Sequence, residues 1–126
     1  MSAGREQFNE NFRKVGLEPP AHVHEGWFEE TIPSKLPDRI SFAIIDGDIY
    51  SSTKHVLPHV YERMSPGAVA IFGIYYDEKV FRRDQTMPQY RSPGVKRATD
   101  EFFADKPEKV SVLYANEYSN GYFWKR

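Results

Sequence analysis

The chain has 126 residues, of which 40% are hydrophobic, 28% charged and 15% aromatic, and its formal net charge is -1. That length suits a single domain with a core over residues 1–126 and excludes two, and the near-neutral balance excludes the basic field that nucleic acid or an anionic membrane would need. The lack of cysteine excludes disulfides, thiolate metal sites and cysteine nucleophiles and fits a reducing, cytoplasmic setting, while no apolar stretch approaches the roughly 18 residues of a membrane span and the polar start reads without a signal peptide.

Residues 6–16 read as a helix. Phe8, Phe12 and Val15 recur at i, i+4 and i+7, Arg13 and Lys14 suit its C-terminal dipole, and Gly16 is a natural stop. After Pro19-Pro20, residues 21–28 form a short strand candidate in which His22 and His24 alternate onto one face. Two histidines so spaced can bind a metal, but a third ligand is missing nearby, and a solvated strand edge explains them as well. Trp27 and Phe28 suit packing. Residues 29–38 hold Pro33 and Pro37 and read as loop.

Ile40-Ser41-Phe42-Ala43-Ile44-Ile45 is a continuous apolar strand that stops at Asp46-Gly47-Asp48. In open α/β sheets, ligands bind beyond the carboxyl ends of the strands. Asp46 is therefore a candidate site acid or a turn-former, and Asp48, a weaker candidate, can simply serve the turn or the helix cap. A helix is expected over 52–64, with Val56, Leu57, Val60, Tyr61 and Met64 as its buried stripe. Pro58 predicts a kink or a restart within it. His55 and His59 share a face at i, i+4 but lack the glutamate of a zinc-protease helix.

Ser65-Pro66-Gly67 reads as a turn and residues 68–72 as a second apolar strand, ending at Gly73-Ile74-Tyr75. Residues 77–92 read as a long charged loop, of the kind that closes over sites. A helix over 95–104 turns Ala98, Phe102 and Phe103 inward, residues 110–114 form a strand, and Asn120-Gly121 signals a type I′ turn into a last strand, 121–124. Strands alternating with helices predict an α/β fold with a mostly parallel sheet and a closing antiparallel hairpin.

The motifs narrow this. Gly26-Trp27-Phe28-Glu29-Glu30-Thr31-Ile32-Pro33, Asp46-Gly47-Asp48-Ile49-Tyr50-Ser51-Ser52-Thr53, Ser65-Pro66-Gly67 and Pro93-Gly94-Val95-Lys96-Arg97-Ala98 stand in the order found in the macrocin O-methyltransferase family. The chain resembles the C-terminal two-thirds of such a protein. The resemblance implies an incomplete Rossmann-like class I methyltransferase fold that lacks the first strand-helix-strand and its Gly-rich loop. The strand at 40–45 would then expose an apolar edge.

By the same resemblance, the activity is methyl transfer from S-adenosylmethionine to a hydroxyl of a small acceptor, a sugar or natural product. Asp46 is metal ligand and general base, with Mg2+ as the metal. Gly26, Trp27, Phe28 and Asp48 border the cofactor, and Tyr50 and Tyr75 the substrate. The family completes its metal site with an Asp-Asp-Tyr where this chain has Gly73-Ile74-Tyr75, and Asp77 and Glu78 follow shortly. The expectation is therefore weak or absent activity from this chain alone. The alternatives are a non-catalytic assembly module pairing through its exposed edge with a second copy or a partner, and a metal protein built on His22, His24, His55 or His59.

Overall fold

The computed structural model describes residues 4–75, 93–113 and 119–126. Helices α1 (Arg5–Lys14) and α2 (Phe28–Lys35) precede strand β1 (Ile40–Ile45) and helix α3 (Tyr50–Arg63). Strand β2 (Met64–Phe72), helix α4 (Gly94–Phe103) and strands β3 (Ser111–Val112) and β4 (Gly121–Trp124) follow. The four strands form one sheet in the order β1-β2-β4-β3. β1 and β2 run parallel, and β4 is antiparallel to both β2 and β3. The charged loop expected at 77–92, with Asp77 and Glu78, lies outside the described residues.

One face of the sheet is covered. Ala70, Phe72 and Phe123 are fully buried there under Leu57 of α3 and Val95 and Phe103 of α4. The Phe103 and Phe123 rings pack at 4.6 Å, and Phe72 stacks on Phe123 at 5.9 Å. The other face is open. The register puts Phe42 beside Val69 and Trp124, and Ile44 beside Ile71 and Tyr122. Phe42, Ile44 and Trp124 are 55%, 66% and 60% exposed. Among the described strands, β1 is also the sheet's edge, as the sequence implied.

Several local expectations change. Residues 21–27 form no strand; Arg5 Nη1 donates to the Val23 carbonyl at 2.8 Å instead. A strand needs a neighbour to satisfy its backbone groups, and β1 turns its free edge to no other described strand. The segment read as a loop contains α2, with Pro33 inside it. Glu29 and Glu30 suit its N-terminal dipole, Thr31 donates Oγ1–H to the Trp27 carbonyl at 3.0 Å, and Ile32 and Leu36 pack on the core.

Pro58 causes no restart, and α3 runs through it; four buried side chains, Thr53, Val56, Leu57 and Val60, hold the helix across the lost hydrogen bond. Ile40 faces Met64 while Phe42 faces Val69, so Ser65, Pro66 and Gly67 bulge from the β1–β2 ladder, with Gly67 at φ +82°. The expected turn thus sits inside the residues assigned to β2. α1 ends as expected: Gly16 is left-handed at φ +76°, Leu17 N–H reaches the Phe12 carbonyl at 3.0 Å and Gly16 N–H the Arg13 carbonyl at 3.0 Å. No residue of α1 is buried.

Asn120-Gly121 is not a two-residue turn. Gly121 already pairs with Val112 in β4. Its missing Cβ is required by packing, since one would stand 2.6 Å from the Tyr75 ring.

A buried acid ties the last strand to the helical layer. Glu108 is 2% exposed. It accepts hydrogen bonds from the Arg126 N–H at 3.0 Å and the Tyr61 hydroxyl at 2.8 Å, with Lys125 Nζ at 3.5 Å. Burial alone would raise its pKa; the bonds from Arg126 and Tyr61, with the Lys125 charge, outweigh it and hold the carboxyl at about 2. A carboxyl depressed in the folded state stabilises the fold above its unfolded pKa and loses that contribution as pH falls through the folded value. Glu108→Gln should therefore destabilise the protein at neutral pH by roughly 2 kcal/mol. It should also flatten the loss of thermal stability between about pH 4.5 and pH 2. Thermal unfolding followed by circular dichroism across that range checks both.

Candidate functional site

The site forms where β1 and β2 end. Asp46 leaves β1 with its side chain exposed, and the chain enters α3 four residues later. Thr53, fully buried, shapes this turn: its Oγ1–H donates to the Gly47 carbonyl at 3.2 Å and its N–H to the Ile49 carbonyl at 3.2 Å. Asp48 stays exposed in the same turn. A Cβ on Gly47 would lie 3.3 Å from Phe28 Cε2 and 3.1 Å from Ser52 Cβ. The Phe28 ring therefore packs on the glycine backbone, which brings the Gly26–Phe28 and Asp46–Thr53 motifs together. Gly26, at φ +139°, makes the bend that delivers Trp27 and Phe28 to this point. Trp27 remains 75% exposed.

A groove of about 400 Å³ runs along the open edge of β1 from this point. All six β1 residues line it, with Phe28, Ile32 and Leu36 of α2 and Val56 and Val60 of α3. Asp46, Gly47 and Ser52 stand at its polar end.

At the end of β2, Gly73 N–H donates to the Ile45 carbonyl at 3.0 Å. A Cβ on Gly73 would stand 2.1 Å from Asp46 Oδ1. Ile74 is left-handed at φ +55°, unusual for a β-branched residue. Tyr75 is 5% exposed. Its N–H donates to the Ser119 carbonyl at 2.6 Å and its hydroxyl to Asp100 Oδ1 at 2.6 Å. Burial, then the bond to Asp100, raises the Tyr75 pKa well above the ordinary phenol value. Lys96 pairs with the other oxygen of Asp100.

Tyr50 opens α3 beside the N-terminus of α4. Its hydroxyl donates to Glu101 Oε2 at 2.6 Å and accepts from Lys54 Nζ at 2.7 Å, and the Arg97 guanidinium lies over its ring at 5.2 Å. The hydrogen bonds from Tyr50 and then Arg97 lower the Glu101 pKa. Asp100 and Glu101 were invisible to sequence reasoning as site partners. Their i, i+4 spacing from Lys96 and Arg97 reads as an ordinary solvated helix face.

The histidines do not converge. His22 and His24 are exposed in the irregular segment, while the His55 and His59 rings face each other at 5.3 Å in α3. Among the described residues, no group of three or more histidines, cysteines or acids could hold a metal ion. Mg2+ wants near-octahedral oxygen ligation, and the described residues do not assemble it around Asp46.

Comparison with known proteins gives this geometry a context. Residues 1–99 match the family described as Macrocin-O-methyltransferase (TylF). The chain is 30% identical, over its whole length, to 42% of the demethyldecarbamoylnovobiocin O-methyltransferase of Streptomyces niveus. Over 52% of its length it is 39% identical to 26% of the mycinamicin III 3''-O-methyltransferase of Micromonospora griseorubida. It thus spans less than half of each relative. Among solved structures, the O-methyltransferase NovP superposes at a TM-score of 0.65 with 27% identity over 97% of this chain and 44% of NovP. The O-methyltransferase of Bacillus cereus in complex with SAH superposes at 0.62 with 17% identity, over 97% of this chain and 59% of that one, and shares the fold. The fold is thus the incomplete Rossmann-like class I methyltransferase architecture.

Gly94 holds the two helix N-termini of the site in contact. A Cβ there would meet the Tyr50 backbone nitrogen at 2.6 Å and Cα at 3.1 Å. Both are backbone atoms, so α3 and α4 would have to separate. Gly94→Ala should cost about 1–3 kcal/mol of stability, measured by urea unfolding.

Proposed function

Because the chain belongs to the macrocin-O-methyltransferase family, we propose that its site serves methyl transfer from S-adenosylmethionine to a hydroxyl, a sugar hydroxyl by preference, with Asp46 as general base. One observation carries the reading: the Phe28 ring packs on Gly47 and joins the two sequence motifs beside Asp46, at the C-terminal end of a parallel strand. When bound, S-adenosylmethionine supplies a sulfonium methyl group. The chain's own residues do the rest. Trp27 and Phe28, bent into place at Gly26, give an aromatic wall for the adenine ring, and Asp48 offers a carboxylate to hydroxyl donors. Asp46 takes the proton of the attacking hydroxyl. Tyr50 stands on the acceptor side, and Tyr75 supports that side from beneath through its bond to Asp100. The described donor set does not fit Mg2+, so no step is assigned to it.

Calorimetric titration with S-adenosylhomocysteine should give saturable binding. Asp46→Asn should keep that binding and lower the rate of methyl transfer to simple hexosides by roughly 10²–10⁴, the usual worth of a positioned base. No binding at millimolar ligand from a folded sample would overturn the reading.

A second reading is favoured by the edge of β1, which no other described strand pairs with, and by the groove along its whole length. In it the chain is a non-catalytic module that assembles with a second copy through this edge. The strand carries neither charge nor proline, the usual guards against such pairing. Sedimentation velocity should then show concentration-dependent association, abolished by Ile44→Lys. A monomer at every concentration would count against it.

A further inference from the structure

We infer that Gly73 seats the Asp46 carboxylate, and that with this pair the chain keeps its strand-end acid without a divalent cation. The inference takes Asp46 as the site's acid from the reading above and adds what surrounds it. A Cβ on Gly73 would lie 2.1 Å from Asp46 Oδ1, 3.1 Å from its Cγ and 3.7 Å from its Cβ. The carboxylate therefore occupies the volume that any side chain at position 73 would need. Asp46 in this rotamer and an acid at position 73 exclude each other.

The seat is fixed from both sides. Gly73 N–H is bonded to the Ile45 carbonyl, the residue just before Asp46, so the two strand ends cannot drift apart independently. Beyond it, Ile74 takes the left-handed conformation at φ +55°, a strained one for a β-branched residue. Tyr75 holds that strain in place, with its N–H on Ser119 and its hydroxyl on Asp100. A left-handed isoleucine clamped on both sides keeps the α-hydrogen face of Gly73 against the carboxylate.

The chemistry follows from the donor count. A hard cation is held by several oxygens in a near-fixed geometry. Here position 73 has no side chain and position 74 an apolar one, and the described residues contain no cluster of three candidate ligands. Among the described residues, Asp46 thus sits in its glycine seat without the set of oxygens that a hard cation needs.

The test reads metal binding and geometry directly and leaves methyl transfer aside. Mn2+ serves as probe because it takes octahedral oxygen sites and its free ion is seen by electron paramagnetic resonance. The free-ion signal should be unchanged by the wild-type chain and by Asp46→Asn alike. Gly73→Asp combined with Ile74→Asp should displace Asp46, gather carboxylates at the strand ends and bind Mn2+ roughly tenfold or more tighter. Wild-type binding in the micromolar range that Asp46→Asn abolishes would overturn the inference. Should the double variant not fold, Gly73→Ala carries the geometric half. Its methyl group should shift the Asp46 side-chain carboxyl resonance in 13C NMR; an unmoved resonance in a folded protein would show that Gly73 does not seat the carboxylate. Titration with S-adenosylhomocysteine separates the two ideas, since lost cofactor binding counts against the methyltransferase reading and leaves the metal result standing.

Discussion

The parallel pairing of β1 with β2 is the constraint on which the rest of the structure depends. It aligns Ile44 with Ile71 and Ile45 with Phe72, and it ends in the bond from Gly73 N–H to the Ile45 carbonyl. Strands that run parallel finish at the same end, so both deliver their next residues to one place. Asp46 and Gly73 meet because of that register. A slip of β1 by one residue would turn Ile45 to the open face and carry Asp46 away from its seat. The helices follow from the same pairing. α3 is the crossover that a parallel connection requires, and Thr53 within it shapes the turn that carries Asp46.

What the sequence made legible is what local patterns encode. The apolar runs of β1 and β2 are bounded by acids, proline and glycine, and both strands form. α4 follows Pro93 as its periodicity implied. Where the reading missed, a non-local term decided. Pro33 and Pro37 argued for a loop, but Ile32 and Leu36 gain the core and α2 forms. Alternation at 21–28 argued for a strand, but a strand needs a neighbour. Gly121 looked like a turn glycine and is instead a packing glycine under Tyr75. The Asp46 contact with Gly73 spans 27 positions of sequence, Glu101 of α4 reaches Tyr50 of α3, and Asp100 reaches Tyr75 beyond the end of β2. No spacing rule reports such distances.

The two faces of the sheet set the balance between function and assembly. Sheets with parallel strands are ordinarily covered on both faces, and β1 is built for that, with apolar side chains on each. Here α3 and α4 cover one face, and Phe42, Ile44 and Trp124 stand open on the other. Burying each such side chain fully would contribute about 1.5–3 kcal/mol. Because they are already partly buried, the three together would add about 3–5 kcal/mol, against about 5–15 kcal/mol for the whole stability of an ordinary domain. A layer over this face would therefore be a first-order term in the energetics of the fold.

That layer and the site share a wall. The groove along the edge of β1 starts at Ile40 and ends at Asp46, so whatever pairs with the edge also closes the polar end where Asp46 stands. Excluding water there strengthens every electrostatic contact of the acid. Pairing along the edge and exclusion of water from the strand end are thus coupled through one groove.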